Sequence, residues 1–228
     1  PLDSSSPENL LASQAASYFE MKRNLEADLA ERGLGELFEK LELPIAELLA
    51  IMENRGVAVD VKELERLLEL FESEVAQETA KAHASVGHEF NVASPKQLQV
   101  VLFEELGLPK TKKIKTGYTT DADALNWLFE KSGHPVLAAL LRIRETKKLA
   151  TTIEGLLVEI QKDKRIHTHF AQTVAATGRL SSVGPNLQNI PVRTEEGRKI
   201  RECFIAGTGY DALLTADYSQ IEMRIMAH

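Results

Sequence analysis

At Lys162-Asp163-Lys164 the hydrophobic period of this chain changes, and that change limits its possible folds more than any other feature. Upstream, apolar residues recur every three or four positions over long stretches, the spacing of helices that bury one face. Downstream, Arg165-Ile166-His167-Thr168-His169-Phe170-Ala171-Gln172-Thr173-Val174 alternates every two residues and is rich in β-branched side chains, the pattern of a strand. A helical front joined to a sheet-forming rear predicts an α+β, predominantly α-helical chain.

The helical front divides at its turn signals. Pro1 to Ser6 is a polar start expected to be loosely held. Residues 8–32 carry Leu11, Ala15, Phe19 and Leu25 at helical spacing and stop at Gly33 and Gly35. Pro44 opens a helix through Glu53, Gly56 ends it, and Val57-Ala58-Val59-Asp60 is extended. A long helix then runs from Val61 to about Ser85, with Leu64, Leu67, Leu68, Phe71 and Val75 as its stripe. Ser94-Pro95-Lys96-Gln97 is a capping-box pattern with proline at the first helical position, and that helix is expected to reach about Leu106. Thr120 or Asp121 starts a short helix. A second long one runs from Pro135 to about Gln161, turning Leu137, Leu140, Leu141, Ile143, Leu149 and Ile153 inward. Two long helices separated by a basic loop and two short helices predict a helical hairpin. At the far end Ala212 to Ala216 reads as a short buried strand, and Ser219 to His228 as a helix packed on a sheet.

With 43% hydrophobic residues, 228 positions suffice for one large core or two small ones. No apolar run reaches roughly eighteen residues and no charged-then-apolar leader is seen, so neither a membrane span nor a signal peptide is expected and a cytoplasmic location is. The single cysteine, Cys203, has no disulfide partner and no zinc-like spacing, and reads as a buried or half-buried structural thiol. The net charge of −7 is unevenly divided. Residues 1–105 hold 21 acids and 9 bases, hence −12, whereas residues 106–228 hold 13 acids and 18 bases, hence +5. The second half is where a polyanion would be held, and the acidic half reads as solvated helix surface.

Within that second half, Pro109 to Thr120 interleaves Lys110, Lys112, Lys113 and Lys115 with hydroxyl residues and a glycine. Ammonium groups there can meet several phosphates without reading bases, while a merely solvated turn is the alternative. Arg142, Arg144, Lys147 and Lys148 are close enough along the second long helix to share a face as a basic stripe, although Lys147 and Lys148 can equally pair with Glu145 or Glu154. Asp217 and Glu222 lie five apart where the last strand is expected to turn into a helix. A carboxylate beside the free carbonyl of Tyr218 suits Mg²⁺ carrying a triphosphate, because that ion takes few protein ligands and completes its shell with phosphate and water. Asp121-Ala122-Asp123 resembles a metal-binding acid pair, but acids are favoured in a helix's first turn anyway, and it reads as a cap.

Asp217-Tyr218-Ser219-Gln220-Ile221-Glu222-Met223-Arg224 resembles motif A of the family A DNA polymerases, Asp-Tyr-Ser-Gln-Ile-Glu-hydrophobic-Arg. The likeness continues upstream in Thr177-Gly178-Arg179-Leu180-Ser181-Ser182 and in Pro185-Asn186-Leu187-Gln188-Asn189-Ile190-Pro191-Val192-Arg193, similar to the segment with which that family approaches primer and template. The resemblance implies a fragment of a template-directed DNA polymerase. Residues 1–43 would be the tail of a preceding exonuclease-like domain, 44–163 a helical-hairpin thumb that grips duplex DNA, and 164–228 a partial antiparallel palm sheet. Asp217 would be catalytic and, with the Tyr218 carbonyl, a ligand of one of two Mg²⁺ ions. Glu222 would lie under the incoming sugar and exclude a 2′-hydroxyl, with Gln220 nearby. Arg179 would approach template and primer or tie palm to thumb. Asn186, Gln188 and Asn189 would meet minor-groove acceptors, and Arg193 the primer terminus. Arg224 would be an internal salt-bridge partner, and His228 has no assigned role.

The partners so implied are primer–template DNA and deoxynucleoside triphosphates. The family's second catalytic acid and its phosphate-binding fingers helix are not within residues 1–228, so this chain alone is expected to be inactive. An incompletely covered palm could also self-associate. Two other readings stand beside this one, a sequence-nonspecific DNA-binding module without catalysis and an inert helical scaffold.

Overall fold

The computed structural model describes residues 7–228, so the start from Pro1 to Ser6 lies outside the described residues. Two compact units result, one formed by Pro1–Arg55 with Gln172–Leu180, the other by Gly56–Ala171 with Ser181–His228. No helix among the described residues is long and apolar enough to cross a membrane.

In the first unit α1 (Pro7–Glu31) follows the expected helical spacing, and Lys22 and Glu26 pair at 3.5 Å across one turn of it. Leu11, Phe19 and Leu25 are exposed along it. A short α2 (Gly35–Leu37) and a wide turn at Phe38–Glu42 run without a break into α3 (Leu43–Arg55), where Leu49 is buried. The Gln172 amide donates to the Glu42 carbonyl at 3.1 Å and to its carboxylate at 2.8 Å, fastening 172–180 to this unit.

The second unit is built on α4 (Val61–Val86) and α7 (Pro135–Val158). Asp60 caps α4 by accepting the Glu63 N–H at 3.1 Å. His134 caps α7 ahead of Pro135, whose missing N–H costs nothing at the first helical position. The helices are antiparallel and share two cores. Leu64, Leu67 and Phe71 meet Leu149, Ala150, Ile153 and Leu156 in the first. The second gathers Ala82, Leu98, Leu102, Leu125 and Leu128 around Val136, Leu137 and Leu140. Its side elements are α5 (Pro95–Gln99), continued by wider helical turns over Val100–Glu105, and α6 (Ala122–Ser132). The capping box is rearranged: Ser94 accepts the Gln97 N–H at 3.4 Å, but the Gln97 side chain reaches the Asn91 N–H at 2.6 Å rather than that of Ser94.

Among the described residues three small antiparallel sheets complete the α+β fold. β1 (Val57–Val59) is central, with β4 (Arg165–Ile166) on one side and β7 (Phe204–Ile205) on the other. β2 (Lys113–Ile114) pairs with β3 (Gly117–Tyr118), and β5 (His169–Ala171) with β6 (Ser181–Val183). The single strand expected over 165–174 is therefore two, in different sheets, split where Thr168 buries its hydroxyl, and residues 172–174 belong to no strand. Between β6 and β7 lie a 3-10 turn at Leu187–Asn189 and α8 (Glu195–Glu202). Cys203 is fully buried as expected, its thiol donating to the Lys199 carbonyl at 3.3 Å, and burial pushes its pKa up to about 11.

Ala212 to Ala216 forms no strand, and Leu214 is 93% exposed. No strand among the described residues pairs with it, so an extended conformation gains no ladder hydrogen bonds there. The last helix, α9 (Ile221–Ala227), starts two residues later than expected because Gln220 takes a left-handed conformation at φ 54°.

Arg142 departs from the expected basic stripe. Its guanidinium meets Glu74 of α4 at 2.6 Å, Glu145 at 3.2 Å and Glu196 of α8 at 2.9 Å, so it ties three helices together. The hydrogen bond to Glu74 holds its pKa above the ordinary range. Glu196 is held below its ordinary 4.5, first by its own backbone N–H and then by Arg142. Arg142→Met should cost about 2 kcal/mol of stability at neutral pH, read from the urea midpoint, because charge-assisted hydrogen bonds are lost and carboxylates stranded. A carboxyl with a lowered folded pKa stabilises the fold above its unfolded value and loses that contribution as pH falls through the folded one. The gap between Arg142→Met and the parent should therefore narrow below pH 4.5.

Candidate nucleic-acid interface

The basic tip is a hairpin rather than the loop expected. Lys113 pairs with Tyr118 and Ile114 with Gly117, leaving Lys115-Thr116 as a two-residue turn. Below it the Thr119 N–H donates to the Lys112 carbonyl at 2.9 Å, and the Thr111 hydroxyl to the Thr119 carbonyl at 2.5 Å. Lys110 lies over the Tyr118 ring, 5.3 Å from its centre, and Phe103 meets the same ring edge-on at 5.4 Å. Lys110, Lys112, Lys113 and Lys115 are all exposed. Asp121 acts as the expected cap: its carboxylate accepts the Ala124 N–H at 2.8 Å and the Thr119 hydroxyl at 2.7 Å, and these bonds, the hydroxyl's first, lower its pKa.

Along α7 a groove of about 910 Å³ opens, with Arg144, Lys147, Lys148, Thr151, Thr152 and Gly155 on the helix side. Asn186 and Asn189 form the facing wall with Pro185, and Glu159 stands at the end of the helix. Positions 144, 148, 151 and 155 follow one another at steps of three or four, so the helix presents them on one face. Lys147 is 3.5 Å from Glu154, the intrahelical pairing that its sequence left open. Arg144 donates to the Thr120 carbonyl beneath the tip, and burial lowers its pKa.

The facing wall is fixed by a buried pair of hydroxyls. Thr168 and Ser182 touch at 2.6 Å, and the Pro185 carbonyl accepts from Thr168 at 2.8 Å and from Ser182 at 3.1 Å. Ser182 also accepts the Leu187 N–H at 3.1 Å. Asn186 Oδ1 then accepts the Gln188 N–H at 2.9 Å and starts the 3-10 turn that brings Asn189 round to the groove. Gln188 does not line the groove; its Oε1 accepts the Ser182 N–H at 3.4 Å. Arg193 is exposed beyond that turn. Arg179 is exposed in the other compact unit, in the turn closed by the Gly178 N–H on the Ala175 carbonyl at 3.1 Å.

Of the expected ligands, Lys147, Asn186 and Asn189 are thus brought together in one groove. Thr151, Thr152 and Gly155 join them without having been singled out in the sequence. Gly155 is the informative one. A Cβ placed on it would meet nothing within 4 Å, so internal packing does not demand glycine. Glycine inside a helix costs roughly 0.5–1 kcal/mol relative to alanine. The bare surface it leaves lets an outside ligand approach the helix backbone closely.

Asp217 lies in the exposed, irregular run before α9, and Tyr218 is 81% exposed. Gln220 and Glu222 flank the helix start. The Arg224 guanidinium donates to the Ser219 carbonyl at 2.8 Å, closing the turn on a backbone group rather than on the expected carboxylate. Among the described residues no group of three or more histidines, cysteines or acids could hold a metal ion. One carboxylate and one carbonyl are suitable hard-oxygen donors for Mg²⁺, yet they complete no site by themselves.

A family model for DNA polymerase family A matches residues 61–228. DNA polymerase I of Mycobacterium bovis is 53% identical over 215 residues, and that of Bacillus subtilis 46% identical over 220. The matches cover 94% and 96% of this chain but 24% and 25% of those proteins, so the chain spans about a quarter of their length. Among solved structures, the POL domain of Pol1 from M. smegmatis, in complex with a DNA primer-template and dNTP, is 54% identical with a TM-score of 0.89. That match covers 94% of this chain and 38% of the other.

Proposed function

The chain belongs to DNA polymerase family A, and from that membership we propose that it is the duplex-gripping part of a template-directed DNA polymerase, together with the first aspartate of its catalytic centre. The observation that carries this reading is the groove along α7, where cations, hydroxyls and two amides converge on a bare helix face. Ammonium groups neutralise phosphates irrespective of sequence, and amides can meet the minor-groove acceptors that every correct base pair presents. Such a surface holds DNA without choosing among sequences, as template copying requires. Residues 1–43 are proposed as the tail of an exonuclease-like domain, 44–163 as the thumb region and 164–228 as the first part of the palm. The structure of the M. smegmatis domain with primer-template and dNTP supports the same pair of partners here.

Asp217 and the Tyr218 carbonyl are proposed to hold Mg²⁺. Divalent ions roughly 3.5–4 Å apart would supply activation of the primer hydroxyl and neutralisation of the leaving pyrophosphate. Glu222 and Gln220, beside Asp217, are proposed to meet the nucleotide sugar, and Arg193 and Arg179 the primer and template strands. Arg142 is withdrawn from the DNA ligands, since three carboxylates occupy it.

Fluorescence anisotropy with a labelled primer–template duplex tests the grip. Binding should show a log–log salt slope near −3, about what three or four phosphate contacts give, and should weaken sharply when Lys110, Lys112, Lys113 and Lys115 are all changed to Ala. No binding at low salt would refute it. In a primer-extension assay the 228-residue chain should incorporate nothing, since its one proposed metal-binding carboxylate holds no pair of ions; extension abolished by Asp217→Ala would overturn that expectation. Gly155→Ala should raise stability by about 0.5–1 kcal/mol while lowering duplex affinity, opposite signs that separate a packing role from a ligand-approach role.

A further inference from the structure

We propose that Gln99 is a positioning residue for DNA binding, a clamp that holds the lysine-bearing tip hairpin in shape before any ligand arrives. The inference rests on the proposed duplex grip and adds to it the group that organises the tip. Gln99 is the last residue of α5 and lies next to the buried Leu98, so its backbone is anchored to the second core. Its side chain leaves the helix and meets the hairpin with both ends of the amide. Oε1 accepts the Tyr118 N–H at 3.0 Å, and Nε2 donates to the Thr116 carbonyl at 3.5 Å. Those two groups flank Gly117, and the gap between them is shaped to Gln99. A Cβ on Gly117 would sit 1.9 Å from Oε1, and the backbone there has φ 122°, a conformation that side chains rarely adopt.

The geometry explains how a hairpin with strands of two residues each holds together. Its own ladder is too short to be stable, and isolated hairpins are marginal even when longer. Gln99 adds hydrogen bonds from a fixed helix. The rings of Phe103 and Tyr118 add an apolar contact on the same strand, and Lys110 packs over Tyr118. Arg144 fastens the chain where it leaves the tip, through the Thr120 carbonyl. The lysines are thereby displayed from a fixed backbone, which lowers the ordering cost of binding.

The test compares the 228-residue chain with Gln99→Ala in two measurements, amide hydrogen exchange without DNA and duplex anisotropy across a salt series. The Tyr118 amide should exchange at least about tenfold faster in the variant, while amides of α4 and α7 keep their rates. Duplex affinity should fall about fivefold with the salt slope unchanged, because the same phosphates are still neutralised by a less ordered hairpin. Lysine replacements, by contrast, should flatten the slope. Gly117→Ala should weaken binding less in the Gln99→Ala background than alone, because the steric conflict with Oε1 is gone. Unchanged Tyr118 exchange or unchanged affinity in Gln99→Ala would overturn the proposal. So would faster exchange throughout α4 and α7, which marks general destabilisation. If the unsubstituted chain fails to bind duplex, the functional reading falls, and the exchange rates alone decide whether Gln99 clamps the hairpin.

Discussion

The antiparallel packing of α4 on α7 is the constraint on which the second unit depends. The two helices have 26 and 24 residues, and at 1.5 Å per residue each is roughly 36–39 Å long, too long to be covered by one compact cluster. The chain meets this with two cores in series. Sheet strands, α8 and Cys203 close the first, while α5 and α6 close the second. Near the junction the apolar stripe gives way to polar groups: Arg142 bridges Glu74 and Glu196, and the Thr146 hydroxyl is buried without a partner. Both faces of α7 needed for packing are consumed by this arrangement. The face that remains carries Arg144, Lys148, Thr151 and Gly155, and it becomes one wall of the groove.

The elements that could be read in the sequence are those whose signal is periodic. Long helices with a stripe and a cap appear close to their expected bounds, as Val61–Val86 and Pro135–Val158 do, because burial of one face and local capping both lie within the segment. The tip hairpin was not legible, since strands of two residues show no alternation and the clamp on them comes from Gln99, 19 residues before Tyr118. The alternation over 165–174 was genuine but could not show that its halves join different sheets. Ala212 to Ala216 has a strand's composition, and composition does not supply a neighbour to pair with.

The same distinction applies to the ligands. That residues 106–228 are basic and that Lys147 and Asn186 are polar could be seen directly. That they face one another depends on the contact of Thr168 with Ser182 across 14 residues, and on the turn which that contact shapes. Nor could local spacing separate Arg142, three residues from Glu145, from Lys147, two residues from Glu145 and seven from Glu154. The partner that decides the matter, Glu74, lies 68 residues from Arg142. The roles proposed for Asp217 and Glu222 came from resemblance to a motif, and both side chains are exposed.

The proposed grip and the proposed chemistry are therefore separable within the chain. The groove and the tip draw on α5, α7, the 3-10 turn and the β2–β3 hairpin, all tied to the two shared cores or to the Thr168–Ser182 contact, and none of these supports involves Asp217. The carboxylate region, by contrast, is exposed from Tyr210 to His228 and includes the short α9, whose start is closed by the Arg224 bond to Ser219. A phosphate-binding surface tolerates small displacements, because Coulombic attraction and counterion release vary slowly with position. A metal-assisted transfer does not, because it needs donors held to fractions of an ångström. In this chain the proposed grip has the rigid support, whereas Asp217, the proposed metal ligand, is exposed, so the precision that the proposed chemistry requires would have to come from further groups brought up to Asp217.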